Sequence, residues 1–151
     1  MNPFQSPELS ECMIVLDTNV ISEAMSSSPN GNVSRWLSTQ MAMELFTTSI
    51  SLAEILYGID LLPPGKRRNA LLVSAEAMFI RLFSGRVLVF DEAAARAFPS
   101  IAVDRRLQGR PISLFDAQIA AIARASGAIL ATRNTSDFEG CGIRLVNPWL
   151  D

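Results

Sequence analysis

The sequence predicts one α/β domain, with a mostly parallel central sheet of about five strands and helices on both faces. Three observations carry this reading. The chain has 151 residues, a length that suits a single domain. Short apolar runs without polar alternation, beginning with Met13-Ile14-Val15-Leu16, suit strands buried on both faces. These runs alternate with segments of helical period, which implies right-handed crossovers between parallel strands.

Residues 1–12 show no periodicity and read as a flexible leader or an overlong start, leaving 13–151 as the domain. After the first strand, Asp17-Thr18-Asn19 leads into a short helix over Val20–Met25. The cluster Ser26–Gly31 is a turn. A helix is expected over Val33–Met43, a second strand over Phe46–Ile50 and a helix over Ser51–Leu61, closed by Pro63-Pro64-Gly65. From Lys66 to Ser84, residues Leu71, Leu72, Ala75, Met78, Phe79, Leu82 and Phe83 share one helical stripe. That stripe reads as core or as a partner surface. Val87–Phe90 is a third strand, followed by a helix over Asp91–Gln108 that Pro99 is expected to kink or split. An Ala-rich helix over Ser113–Ser126 ends at Gly127. Strands over Ala128–Thr132 and Ile143–Val146 flank a polar loop, 133–142.

Composition excludes several chemistries. Hydrophobic residues make up 49% and charged residues 19%, so the chain can bury a core. There is no histidine, which removes Ser-His-Asp and Cys-His nucleophiles and HExxH zinc sites. Two cysteines, Cys12 and Cys141, make neither a disulfide scaffold nor a four-cysteine zinc site. No apolar run approaches the roughly 20 residues of a membrane span, and the N-terminus has no signal-peptide centre, so a cytoplasmic location is expected. Catalysis must then use carboxylates, hydroxyls, amines or a metal held by oxygen.

Ligand sites in such sheets lie beyond the carboxyl ends of the strands. Asp17, Glu54, Asp116 and Asp137 all fall at that edge. Each also has a structural explanation. Ser51-x-x-Glu54 and Ser113-x-x-Asp116 fit capping boxes, Asp17 fits a helix cap, and Asp137 fits a turn. Jointly they are harder to dismiss: Asp17 follows a fully apolar strand and Asp116 lies in a helix that reads as largely buried, and a buried unpaired carboxylate needs a proton or a cation. Lys66 is the only lysine, so arginine or a divalent ion must supply it. Hard oxygen ligands suit Mg²⁺ or Mn²⁺, which can activate water against a phosphodiester. Without those four acids the chain carries eleven acidic against thirteen basic residues, compatible with a polyanionic substrate. Arg105, Arg106, Arg110 and Arg133 are the candidate phosphate contacts, or else solvated helix ends. Trp36 and Trp149 read as packing residues. A phospho-receiver is a competing reading, weakened because no lysine follows a late strand. A non-catalytic interaction domain whose acids are only caps is another.

Five blocks, in order and at suitable spacing, carry a family resemblance. Met13-Ile14-Val15-Leu16-Asp17-Thr18-Asn19 resembles the opening of a PIN-domain protein. Ser51-Leu52-Ala53-Glu54-Ile55-x-x-Gly58 and Phe115-Asp116-Ala117-Gln118-Ile119-Ala120-Ala121-Ile122-Ala123 resemble its second and third motifs. Ala131-Thr132-Arg133-Asn134-Thr135-Ser136-Asp137-Phe138 and Leu145-Val146-Asn147-Pro148-Trp149 are similar to the VapC/FitB-type branch. The resemblance spans about residues 13–150. It implies a Mg²⁺- or Mn²⁺-dependent endoribonuclease acting on RNA, the toxin half of a type II toxin–antitoxin pair. It implies that Asp17, Glu54, Asp116 and Asp137 form the acidic quartet, supported by Thr18, Asn19, Thr132 and Asn134. It further implies a homodimer and a cognate antitoxin that inserts residues into the active-site groove. Operator DNA binding is expected of the antitoxin, because no basic recognition motif occurs in this sequence. Residues 1–12 and Pro99 depart from the family pattern.

Overall fold

A computed structural model describes residues 12–151. The proposed leader therefore lies, Cys12 apart, outside the described residues. Among the described residues, five parallel strands form one sheet: β1 (Ile14–Leu16), β2 (Leu45–Thr48), β3 (Val87–Leu88), β4 (Ile129–Ala131) and β5 (Arg144–Val146), in the order β3-β2-β1-β4-β5. Seven α-helices among these residues connect or flank the strands: α1 (Thr18–Ala24), α2 (Gly31–Thr39), α3 (Ser49–Asp60), α4 (Lys66–Ala77), α5 (Glu92–Leu107), α6 (Leu114–Ala125) and α7 (Thr135–Phe138).

The apolar strand at the N-terminal end behaves as its lack of alternation requires. Side chains alternate across a strand, so Ile14 and Leu16 enter one core layer and Val15 the other, and all three are buried. The first layer joins them to Val20, Ile21, Val33, Ile55, Ile59, Phe79 and Phe83; the second is built on Ile101, Leu130, Phe138 and the buried run Ile119–Ala123. The chain runs from β1 outward to β3, then crosses back to lay β4 on the other side of β1. This reversal puts a crevice at the carboxyl ends of β1 and β4, the place where doubly wound sheets hold ligands.

Several boundaries differ from the sequence expectation. α2 starts at Gly31 because the Asn30 carboxamide accepts from the Asn32 and Val33 N–H groups. It ends at Thr39, where Ser38 and Thr39 hydroxyls bond back to Arg35 and Trp36 carbonyls and Gln40 turns extended. α3 begins at Ser49 because its cap is Thr48, whose hydroxyl accepts from the Ser51 N–H. The expected helix over 66–84 is α4 followed by a wide π-type turn, Met78–Leu82. The turn accompanies burial of both Phe79 and Phe83, whose rings lie 5.6 Å apart. The Leu71–Phe83 stripe is thus largely core, except that Leu72 on it is exposed, and Val73 and Ile80 lie exposed off it. Pro99 does not split α5. Residues 95 and 99 are both exposed, so the carbonyl that loses its helical donor faces water. The polar loop 133–142 contains α7.

Candidate active site

Asp17 directly follows β1, and its N–H still donates to the Ala131 carbonyl at 2.9 Å, so the sheet itself sets its position. Its carboxylate also caps α1. Oδ1 accepts from the Thr18 N–H at 2.8 Å and Oδ2 from the Thr132 hydroxyl at 2.8 Å. The expected cap is therefore present, yet it leaves a lone pair on each oxygen. Asp17 is only 5% exposed. Burial pushes its carboxyl up to about 6, opposed by the bonds from Thr132 and Thr18 and reinforced by the charges of Asp116 and Glu54.

Two hydrogen-bond relays hold the acids. Thr132 has one proton, given to Asp17, so its oxygen accepts from Asn19 Nδ2 at 3.3 Å and from the Asn134 N–H at 3.1 Å. Asn19 is oriented in turn, because its Oδ1 accepts from the Arg133 N–H at 3.3 Å. On the other side, Thr18 Oγ1 lies 3.0 Å from Glu54 Oε1 and 2.9 Å from Ser51 Oγ. An ionised carboxylate only accepts, so Thr18 donates to Glu54 and accepts from Ser51. The capping-box reading of Ser51 and Glu54 is therefore corrected: Thr48 is the cap, and Glu54 is turned toward Thr18. Burial is the chief cause that raises the Glu54 carboxyl, which Thr18 lowers and Asp116 raises.

Asp116 sits in the first turn of α6, whose cap Ser113 accepts the Asp116 N–H at 3.2 Å. Its carboxyl is raised by burial, lowered by Ser113 and raised by Asp137. Asp17, Glu54 and Asp116 line one cleft of about 460 Å³ together with Thr18, Asn19, Asn134 and Arg133. Asp137 is exposed and lines, with Asp116, a neighbouring cavity of about 220 Å³. The expected quartet is thus three acids in one cleft and a fourth next door, linked through Asp116.

The basic candidates separate. Arg105 is not a surface phosphate contact. It is 4% exposed and donates to the Ser136 and Glu139 carbonyls at 3.3 and 3.0 Å, which bracket Asp137. Arg110 donates to the Ser136 carbonyl and pairs with the Glu139 carboxylate at 3.2 Å. Arg106 is exposed and lines neither cavity. Of the four, Arg133 alone faces the cleft. The sequence reading missed Ser22, Glu23 and Trp149 in its lining. Ser22 and Glu23 follow Thr18 and Asn19 by four residues, so helical spacing alone would have placed them on the same face.

The donor set is hard oxygen throughout, and the four carboxylates of Asp17, Glu23, Glu54 and Asp116 share a cleft with one arginine. Among the described residues, no three acidic or cysteine side chains converge closely enough to cage an ion unaided. An ion that keeps several waters and takes only one or two carboxylates directly fits this spacing. Among the described residues, no helix is long and apolar enough to cross a membrane.

Comparison with known proteins points the same way. The family profile for the PIN domain matches residues 14–140. The chain is 41% identical to plasmid stability protein StbB of Pseudomonas syringae pv. tomato, over 91% of this chain and 99% of that one. It is 40% identical to VapC ribonuclease Y4jK of Sinorhizobium fredii, over 91% and 98%. It is 37% identical to toxin FitB of Neisseria gonorrhoeae, over 92% and 100%. The structure of FitAB bound to an IR36 DNA fragment aligns with a TM-score of 0.85 at 37% identity, over 91% of this chain and 96% of that one.

Proposed function

This chain belongs to the PIN-domain family, and we propose that it is a metal-dependent endoribonuclease that serves as the toxin of a toxin–antitoxin pair. The observation that carries the reading is the gathering of Asp17, Glu54 and Asp116 around one cleft at the sheet's switch point, where Arg133 is the only basic residue among those described. Relatives described as a VapC ribonuclease and a toxin support the reaction class and the role.

In this reading Asp17, Glu54 and Asp116 would hold Mg²⁺ or Mn²⁺, directly or through its waters, and Asp137 contributes through Asp116 from the adjoining cavity. When bound, such an ion would supply charge stabilisation at the phosphodiester and activation of water. The chain's own residues do the rest. Thr132 and the Thr18 N–H fix the rotamer of Asp17, and the Ser51–Thr18 relay fixes Glu54. The carboxylates orient the attacking water and take its proton. Asn19 and Asn134 keep Thr132 aimed at Asp17.

A groove of about 640 Å³ opens beside the cleft and shares Thr18, Ser22 and Glu54 with it. Met25, Ile55, Ile59, Leu62 and Leu71 make its wall apolar. This groove suits a segment of an antitoxin partner that reaches into the acidic cleft. DNA contact falls to that partner, and a second copy of the chain completes the assembly.

The test is cleavage of RNA by purified protein with added Mg²⁺ or Mn²⁺. Wild type cuts, while Asp17→Asn and Asp116→Asn stay folded and lose at least about a hundredfold in rate. Full activity in a folded double variant would overturn the mechanism.

A further inference from the structure

We propose that Arg133 and Trp149 form a substrate subsite at the cleft rim, where the Arg133 guanidinium binds one backbone phosphate of an unpaired RNA strand. The inference deepens the nuclease reading and rests on it. Among the described residues, Arg133 is the only basic one lining a cleft that also presents Asp17, Glu23, Glu54 and Asp116. Among those residues its guanidinium makes no ion pair, and its hydrogen bonds run through its backbone. It lies instead over Trp149, 5.3 Å from the ring centre.

The pair is built rather than incidental. The Arg133 N–H donates to Asn19 Oδ1 at 3.3 Å, and its carbonyl accepts from Asn147 Nδ2 at 3.4 Å. The same Asn147 carboxamide accepts the Trp149 N–H at 3.0 Å through Oδ1. The Trp149 carbonyl accepts from Asn32 Nδ2 at 2.8 Å. Three asparagines therefore fix both backbones in one register. Trp149 packs partly on the core and lines the cleft, so it is both a packing residue and part of the site.

A guanidinium held against an indole keeps its N–H fork free, and that fork matches phosphate oxygens. An unpaired base that has left its stack can pack against this guanidinium–indole pair, which a base held in a duplex cannot do. The substrate is therefore single-stranded at the cut, with one phosphate on Arg133 beside the phosphate held over the acids.

Binding of a short labelled RNA is measured in an Asp17→Asn background, which prevents cutting. Arg133→Gln weakens binding roughly tenfold. It also lowers the magnitude of the slope of log affinity against log salt by about 0.7, the loss of one single-strand phosphate contact. Arg96→Gln, on an exposed face of α5, changes neither. With Trp36→Phe added, Trp149 is the only indole, and its emission changes on saturation with single-stranded RNA but not with a duplex of the same sequence. Unchanged affinity and salt slope in Arg133→Gln, or an equal emission change with duplex, overturns the subsite while leaving the nuclease reading intact. Wild-type protein that neither binds nor cuts RNA in Mg²⁺ overturns both.

Discussion

Replacing Asp17 by Asn should make the metal-free protein more stable at neutral pH, although it removes a residue assigned to the reaction. Burial lifts the Asp17 carboxyl from an ordinary 3.8 to about 6 in the folded state. Between those values the folded chain binds more protons than the unfolded chain. Stability from this group therefore falls as pH rises from about 4 to 6, and the loss is complete above 6. A rise from 3.8 to about 6 corresponds to about 3 kcal/mol, and no large solvent discount applies because Asp17 is buried. Asn carries no charge to desolvate, and its carbonyl oxygen can still accept the Thr18 N–H. Its Nδ2 replaces Oδ2, so the Thr132 proton loses its acceptor while the Thr132 oxygen still accepts from Asn19 and Asn134, which costs about 1 kcal/mol. The net expectation at pH 7.5 is a gain of about 2 kcal/mol, disappearing at pH 4. Urea unfolding followed by circular dichroism, in chelator at both pH values, measures it. A variant destabilised by the same amount at both pH values would show that desolvation of the carboxylate is not the cause.

Other consequences follow from the same geometry. RNA cleavage should fall as pH drops through about 6, because Asp17 must be ionised to hold a cation; a flat rate from pH 5 to 8 would contradict this. Thr132→Val removes the donor to Asp17 Oδ2 with little change of shape, and should cost about 1–3 kcal/mol in urea unfolding at pH 7.5. Arg105→Ala should cost about 1–3 kcal/mol, since the Glu139 carbonyl loses its buried donor while Arg110 still serves Ser136; unchanged stability would show that the α7 segment holds itself. Pro99→Ala should raise stability by about 1 kcal/mol or more, because α5 already runs through this position without the missing N–H; a lower urea midpoint would show that Pro99 is needed there.

The sheet was legible because burial on both faces leaves a simple mark. Ile14, Val15 and Leu16 show no polar alternation, and each is buried against a different layer than its neighbour. Once the strands are placed, the carboxyl-end rule brings Asp17, Glu54 and Asp116 to one edge without any distance being known. What sequence could not settle was which of several hydroxyls does each job. Thr48 and Ser51 are both good caps, and Thr48 caps because the strand delivers it at the helix start. Ser51 is then released to support Thr18. Arg105 and Arg106 are adjacent and chemically identical, yet α5 turns the first into the interior and the second to solvent. Trp149 is remote in sequence from Asp17, Glu54 and Asp116, and the parallel pairing of β4 with β5 brings it to their cleft.

Whether Asp17, Glu54 and Asp116 act as one cation-dependent site is decided most directly by calorimetric titration of Mn²⁺ at pH 7.5. We predict saturable binding to the wild-type chain, lost in Asp17→Asn and in Asp116→Asn while both remain folded. Equal binding in all three proteins, or none in the wild type, would mean that the three carboxylates do not form a metal site.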